Sequence, residues 1–254
     1  MDVGPMPPRT QADLAEVGCR WRKLHPLVIR YRPGELVYHT GSYAAGAGML
    51  CSGVIVDRPS DSSRCPELIG PGGFFGIEVL LSPPLGVHQT SGRALTDVEV
   101  AFVERQALRL EIAADSSLCE ALLAYVAARF IDARTSRWVL PPTREAAQVR
   151  RRIASCLLQL AQMCGTREDD QGRLIRLPKE ITPHALSSIL SVSTASVSRL
   201  LSDHDLGFAK MQTRKAGPCG SSVKGLLIVV ERLSKIANQL PPASESPGER
   251  GAAP

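Results

Sequence analysis

The sequence predicts an α+β protein: a small antiparallel sandwich or barrel, then a lone long helix, then a helix-turn-helix followed by a wing. Three observations carry this. From 27 to 110, short apolar runs broken by glycine and proline recur at about ten- to fifteen-residue intervals: LVIRY, ELVYHTG, GMLCSGVIV, CPELIG, GFFGIEVLL and VEVAFVE. Between 106 and 135 the period turns helical, with Leu118, Leu122, Val126 and Phe130 four apart and Leu123 and Tyr125 beside them. Within 180–204, two short helical stretches meet at SVS.

The elements follow in order. Residues 1–26 read as a polar, partly helical lead, around QADLAEVGCRWRKL. Residues 27–116 form the β domain, with turns at Pro33-Gly34 and at RPSDSSR, 58–64. Residues 117–139 form the long helix. Its stripe of Leu118, Leu122, Tyr125, Val126 and Phe130 is a candidate seam between two chains. LPPT (140–143) stops that helix, and Thr143 can cap the next, which runs to about 164. CGTREDDQGR reads as a surface loop, and residues 140–240 make the C-terminal domain. The composition of 241–254 is that of a disordered tail.

The 254 residues suit two domains and a linking helix. The hydrophobic fraction is 44% but aromatics are 4%, so the core must be mostly Leu, Ile, Val and Ala. No apolar run approaches the roughly 20 residues a membrane span needs. The start lacks a basic stretch followed by an apolar one. The expectation is a soluble, cytoplasmic protein with no membrane partner. Seven cysteines stand far apart, without a C-x-x-C pair, so no zinc or iron–sulfur site is expected. Cys51, Cys119 and Cys156 lie in apolar stretches and read as small core residues. No paired-carboxylate cleft, nucleophile elbow or Walker loop is visible, so an enzyme is not expected, nor is a resident metal or cofactor.

Charge is unevenly spread. Residues 1–128 carry a net −3, residues 129–240 a net +9, and the last fourteen −1. A basic second half points to a polyanion partner. Thr182 and Pro183 start one helix, which Ala185, Leu186, Ile189 and Leu190 carry for barely two turns. Ser193 caps a second, TASVSRLLSD, with Val197, Leu200 and Leu201 inward. Thr194, Ala195, Ser198 and Arg199 then face outward; small hydroxyls permit close entry to a major groove, and Arg199 can reach a guanine edge or a phosphate. Ser191 stands where glycine is commonest in such a turn. Two strands around a basic, glycine-rich loop follow, placing Arg214, Lys215 and Lys224 for phosphates.

With these residues in view, the chain looks like a member of the Crp–Fnr superfamily of bacterial transcription regulators, over about 27–237. YRPGELVYHTGS, GPGGFFGIEVLL and RALTDVEVAFVER resemble successive sensor-domain motifs of that family in order and spacing. The resemblance implies a jelly-roll sensor of the cyclic-nucleotide-binding type, a dimerisation helix and a winged helix-turn-helix on palindromic double-stranded DNA. RNA polymerase is a further partner it suggests. Ser196, Val197, Ser198 and Arg199 match the family's recognition helix, whereas Thr194 and Ala195 replace its Arg-Glu. Thr182 and Ser193 match phosphate-contacting positions.

In nucleotide-binding relatives, a Glu after the cassette glycine holds the ribose, and an Arg with a Ser or Thr holds the cyclic phosphate. Here that glycine is Gly76, the Glu position is Ile77, and the Arg-Ser pair falls on His88 and Gln89. Glu78 comes one residue late, which on a short helix turns it about 100° away. A neutral imidazole does not replace a bidentate guanidinium. The expectation is a homodimeric regulator whose cassette keeps its fold without binding cyclic AMP in the usual way, with another small-molecule effector or none. The alternative is an effector- or protein-interaction module whose DNA half has decayed.

Overall fold

The protein is described by a computed structural model covering residues 17–61, 66–80, 86–135, 146–202, 209–216 and 221–237, with backbone alone at 131–135, 146, 209–216 and 221–225. A short helix, α1 (17–23), precedes eight strands: β1 (Leu27–Tyr31), β2 (Leu36–Tyr38), β3 (Gly46–Ser52), β4 (Ile55–Pro59), β5 (Glu67–Ile69), β6 (Phe74–Phe75), β7 (Thr90–Ala94) and β8 (Val98–Glu104). They form two antiparallel sheets, ordered β1-β8-β3-β6 and β2-β7-β4-β5. Early strands pairing with late ones in both sheets is the order of a jelly roll. Leu50, Ile55, Val98 and Val100 alternate inward and fill the space between the sheets.

The helical stretch over 106–135 holds two helices, α2 (Arg105–Ala114) and α3 (Ser116–Thr135), the second beginning close to the start expected for the long helix at 117. Asp115 divides them, because its carboxylate accepts from the Ser117 amide at 2.9 Å and so opens a new helix. Trp21 closes this end of the barrel. Its indole N–H donates to the Ala101 carbonyl at 2.8 Å, and its ring meets Phe74 edge-on at 4.9 Å.

The apolar stripe of α3 also differs from expectation. Leu118, Leu122 and Tyr125 are buried in their own chain's core, whereas Leu123, Val126 and Phe130 are exposed. Residues four apart drift by about 40° per step on a 3.6-residue helix, so a run from 118 to 130 crosses from one face to another. The exposed ridge instead follows Cys119, Leu123, Val126 and Phe130, in alternating steps of four and three, the seam of a coiled coil. Cys51 and Cys119 are therefore exposed, contrary to expectation; Cys156 is buried as expected, and burial pushes its thiol pKa far up.

The second half holds α4 (Ala146–Cys164), β9 (Thr166–Arg167), β10 (Leu174–Arg176), α5 (Pro183–Leu190), α6 (Thr194–Ser202), β11 (Ala209–Ala216), β12 (Ser221–Val229) and α7 (Val230–Ala237). The stretch read as a plain loop is a tight hairpin, β9–β10, turned by Gly172 at φ 63° and by Asp169, which accepts from the Leu174 amide at 2.9 Å. The four strands form one antiparallel sheet, β11-β12-β10-β9. Ile153, Leu157 and Leu160 of α4 share one core with Leu186, Ile189 and Leu190 of α5, Val197 of α6, and Val54, Val56 and Leu68 of the barrel. Arg58 on β4 crosses to α5, donating to Ser188 Oγ at 2.7 Å and to its carbonyl at 3.1 Å.

The helix stop at 140–143, Thr143, residues 62–64 of the 58–64 turn tip, Cys65, the loop between β11 and β12 with Cys219, and the tail lie outside the described residues. Among those described, no helix is long and apolar enough to cross a membrane.

Leu118 and Leu110 separate the two faces of the helical layer. Leu118→Ala is expected to cost about 2–5 kcal/mol of unfolding free energy, since its side chain is fully buried. Leu110→Ala, on the exposed side of α2, should stay within about 0.5 kcal/mol. Denaturant titration of the two variants measures both.

Candidate nucleic-acid interface and sensor cavity

α5 begins where expected. Thr182 has extended backbone, its hydroxyl accepts from the Ala185 amide at 3.1 Å, and Pro183 opens the helix. The helix ends at Ser191, whose backbone is left-handed (φ 54°, ψ 41°) and whose amide bonds to the Ser187 carbonyl. Ser193 then caps α6, accepting from the Ser196 amide at 3.1 Å and sharing a hydrogen bond with its hydroxyl at 2.8 Å. A hydroxyl bridge, Ser187 to Thr194 at 3.0 Å, joins the two helices. Val197 is buried against α5, while Thr194, Ala195 and Arg199 are exposed and Ser196 and Ser198 half-buried. Of the face predicted to point outward, Thr194, Ala195 and Arg199 do so, whereas Ser198 is half-buried. Lys215 lies on β11 opposite Ser222, and its side chain is outside the described residues.

One residue that shapes this unit escaped the sequence reading. Arg152 of α4 is 3% exposed and donates to the Leu190 carbonyl at 2.8 Å, at the C-terminal end of α5. A cation suits that end of a helix dipole. The signal was present: Arg152 falls three residues after Val149 and four before Cys156, on the apolar face of α4.

The cassette of the barrel closes on a single 3-10 turn, Ile77–Leu80. Gly76 sits at φ 74°, and a Cβ there would come within 2.6 Å of the Gly46 carbonyl oxygen, so only glycine fits. A cavity of about 190 Å³ opens beside it. Its apolar wall is Ile69, Phe74, Phe75 and Ile77; its polar groups come from Tyr38, Asp57, Glu78, Thr90 and Arg129. Glu78 thus lines the cavity, against expectation. Val79 of that turn points into the core, fully buried, while 77 and 78 both line the cavity.

His88 is buried outside that lining, its ring stacked 4.8 Å from Tyr38. Burial lowers its pKa, the Glu78 charge opposing the shift only in part, and its Nδ1 has no hydrogen-bond partner. Gln89 is exposed and bonds back to the Val87 carbonyl at 3.1 Å. Neither side chain lines the cavity.

Asp57 and Arg129 were not singled out from sequence. Asp57 follows from strand alternation, since Ile55 faces inward and 57 must share its side. Burial holds its carboxyl pKa above the ordinary range, the Glu67 and Glu78 charges adding to this while Thr90 and Tyr38 pull the other way. Its Oδ1 is buried without a hydrogen-bond partner. Burial, reinforced by the Asp57 charge, raises the pKa of the Tyr38 phenol far above its usual value. Arg129, on α3, pairs with Glu67.

Comparison with known proteins gives a consistent answer, although no family model matches the chain. The chain is 30% identical over 185 residues to a CRP-like cAMP-activated global transcriptional regulator of Mycobacterium tuberculosis, spanning 72% of this chain and 78% of that protein. Among solved structures, FixK2 from Bradyrhizobium japonicum superposes with a TM-score of 0.62 at 20% identity, covering 85% of this chain and 99% of that one. A CRP-family transcriptional regulator from Thermus thermophilus superposes with a TM-score of 0.56 at 21% identity, covering 83% and 97%.

Two substitutions test the geometry. Ser191→Gly is expected to raise stability by roughly 0.5–1 kcal/mol, because glycine bears the left-handed conformation without strain; thermal melting reads this. Asp57→Asn tests the buried carboxyl. An acid with a raised folded-state pKa costs nothing below its unfolded value and increasingly more as pH rises through the folded value. The amide should therefore melt roughly a few degrees higher at alkaline pH, with the advantage vanishing toward acid.

Proposed function

The chain belongs to the Crp–Fnr superfamily of transcription regulators, and on that premise we propose that it is a homodimer that binds palindromic double-stranded DNA through α6. The carrying observation is the outward face of α6: Thr194, Ala195 and Arg199 exposed on a helix held from behind by Val197 and capped by Ser193. Small side chains with one guanidinium at the end of a short rigid helix suit entry to a major groove. The hydroxyls of Thr182 and Ser193 already accept from backbone amides, which leaves the Thr182 O–H able to donate to a phosphate oxygen, and the Ser193 O–H too when Ser196 is the donor in their shared bond. β11 and β12 form the wing beside it.

Pairing along Cys119, Leu123, Val126 and Phe130 of α3 supplies the two-fold axis. Two α6 helices then read half-sites about 34–36 Å apart. The relative from Mycobacterium tuberculosis is named as cAMP-activated. In this chain the cassette offers Ile77 at the ribose position, and His88 and Gln89 stand outside the cavity. Loss of a charged partner to a buried phosphate costs on the order of 2–5 kcal/mol, which carries a micromolar ligand to about millimolar. We read the sensor as one that has left cyclic nucleotides.

The direct test is a gel shift on genomic fragments selected by the purified protein. Arg199→Ala should weaken specific binding about tenfold or more, while an unchanged affinity would favour a DNA half that no longer works. Val126→Glu, placed on the exposed ridge, should yield monomers by sedimentation and lose operator binding while the chain stays folded.

A further inference from the structure

Resting on the reading of the barrel as a sensor without its cyclic-nucleotide contacts, we infer that its cavity takes a small organic cation, an ammonium or guanidinium compound on a short hydrocarbon body, with Asp57 as its salt-bridge partner and Glu78 as a second acceptor.

The charges around the cavity run opposite to what a phosphate needs. Asp57 and Glu78 both line it. The one lining cation, Arg129, is engaged by Glu67 outside the lining set. The charges that act on Asp57 are those of Glu67 and Glu78, both negative. An anion entering here meets repulsion, and a cation meets two carboxylates in a partly water-excluded space.

Hydrogen bonding points the same way. Asp57 Oδ1 is buried with no donor, though buried polar atoms in folded proteins nearly always have one. An ammonium or guanidinium brings several N–H donors to a carboxylate and no acceptor that would compete. Thr90 and Tyr38 favour the charged form of the Asp57 carboxyl. Ile69, Phe74, Phe75 and Ile77 give the hydrocarbon part an apolar surface. A cavity of about 190 Å³ limits the guest to a few heavy atoms, of the size of a four- to six-carbon amine.

The cavity also reaches α3. Arg129 lines it, and Phe74, another lining residue, gives its backbone amide to the Tyr125 hydroxyl at 2.9 Å. A guest that draws Asp57 and Glu78 together therefore acts on residues that touch the proposed dimer helix.

Calorimetric titration of the full chain tests this with n-butylamine, 1,4-diaminobutane and agmatine, against 1-butanol and 3′,5′-cyclic AMP. At about pH 8, at least one of the three amines is expected to bind with a sub-millimolar Kd, and butanol and cyclic AMP to show no saturable heat. Affinity should fall about tenfold or more in Asp57→Asn. It should also fall as pH drops, because the groups facing Asp57 are Tyr38 from β2, Glu67 from β5, Glu78 from the 3-10 turn, Thr90 from β7 and Arg129 from α3, and acidification removes negative charge from this set. Glu78→Gln, on the half-buried turn, should weaken binding severalfold and decides the matter if Asp57→Asn does not fold. Silence from all three amines up to about 10 mM, undiminished binding by both variants, or micromolar binding of cyclic AMP overturns the inference. A gel shift without amine, on the same preparation, reports on DNA binding separately, so failure of the cavity proposal and failure of the regulator reading are told apart.

Discussion

The contact on which the sensor half depends is the hydrogen bond from the Phe74 amide to the Tyr125 hydroxyl. Phe74 begins the strand before the cassette glycine, and its ring stands edge-on to Trp21 and to Tyr125, 4.9 and 5.0 Å away. α1, β6 and α3 are thus tied at one point. Sliding α3 past the cassette leaves a buried amide without an acceptor, at a cost of about 1–3 kcal/mol. The helix also carries Leu123, Val126 and Phe130 on its far side. A displacement felt at Phe74 must therefore move that ridge, and a rigid helix with two apolar faces passes small shifts on without absorbing them.

Packing of the same kind holds the shape of the cassette. Gly76 is fixed by the approach of the Gly46 carbonyl, and Gly92 by the Tyr38 ring, which a Cβ would meet at 2.2 Å. Neither requirement involves a ligand. Tyr38 packs between the sheets against Phe75, the rings 4.8 Å apart, and so belongs to the core as much as to the cavity. Backbone and aromatic packing hold the mould, and the charges on its wall are free to diverge. Here they have moved toward carboxylates, with Asp57 contributed by a strand and Glu78 by a turn.

The parts legible in the sequence were those set by short-range rules. Thr182-Pro183, Ser191 and Ser193 announce their roles through capping and turn chemistry, and the outward set on α6 follows from helical period alone. Most strands of the barrel followed from apolar runs and turn residues, but β7 is not an apolar run and was missed, and the run GMLCSGVIV spans two strands, β3 and β4. What sequence reasoning missed depended on partners far along the chain. Leu118 and Leu122 look the same as Val126 until the barrel supplies a wall for the first two and none for the third. Asp57 is an ordinary strand carboxylate until Phe75, Ile77 and Glu78 close over it. Arg152 reads as one of three consecutive arginines until α5 ends above it. Glu78 was expected to be turned away from the cavity, and it stands in its lining.

The placement of the tethers in the second half bears on how the recognition helix stays available. Two arginines reach the helix pair, Arg58 from the barrel at Ser188 and Arg152 from α4 at the Leu190 carbonyl. Both grip α5. The second helix is positioned through the first, by the Ser187–Thr194 hydroxyl bridge and by Val197 in the shared core. Arg199 and Thr194 therefore remain on an exposed face while the unit behind them is anchored twice. An anchor on α6 itself would have covered the face proposed to read bases. With the anchor on α5, the barrel can shift the pair as a rigid unit and leave the recognition face uncovered, which is the arrangement a sensor needs if it is to move a DNA-reading helix without masking it.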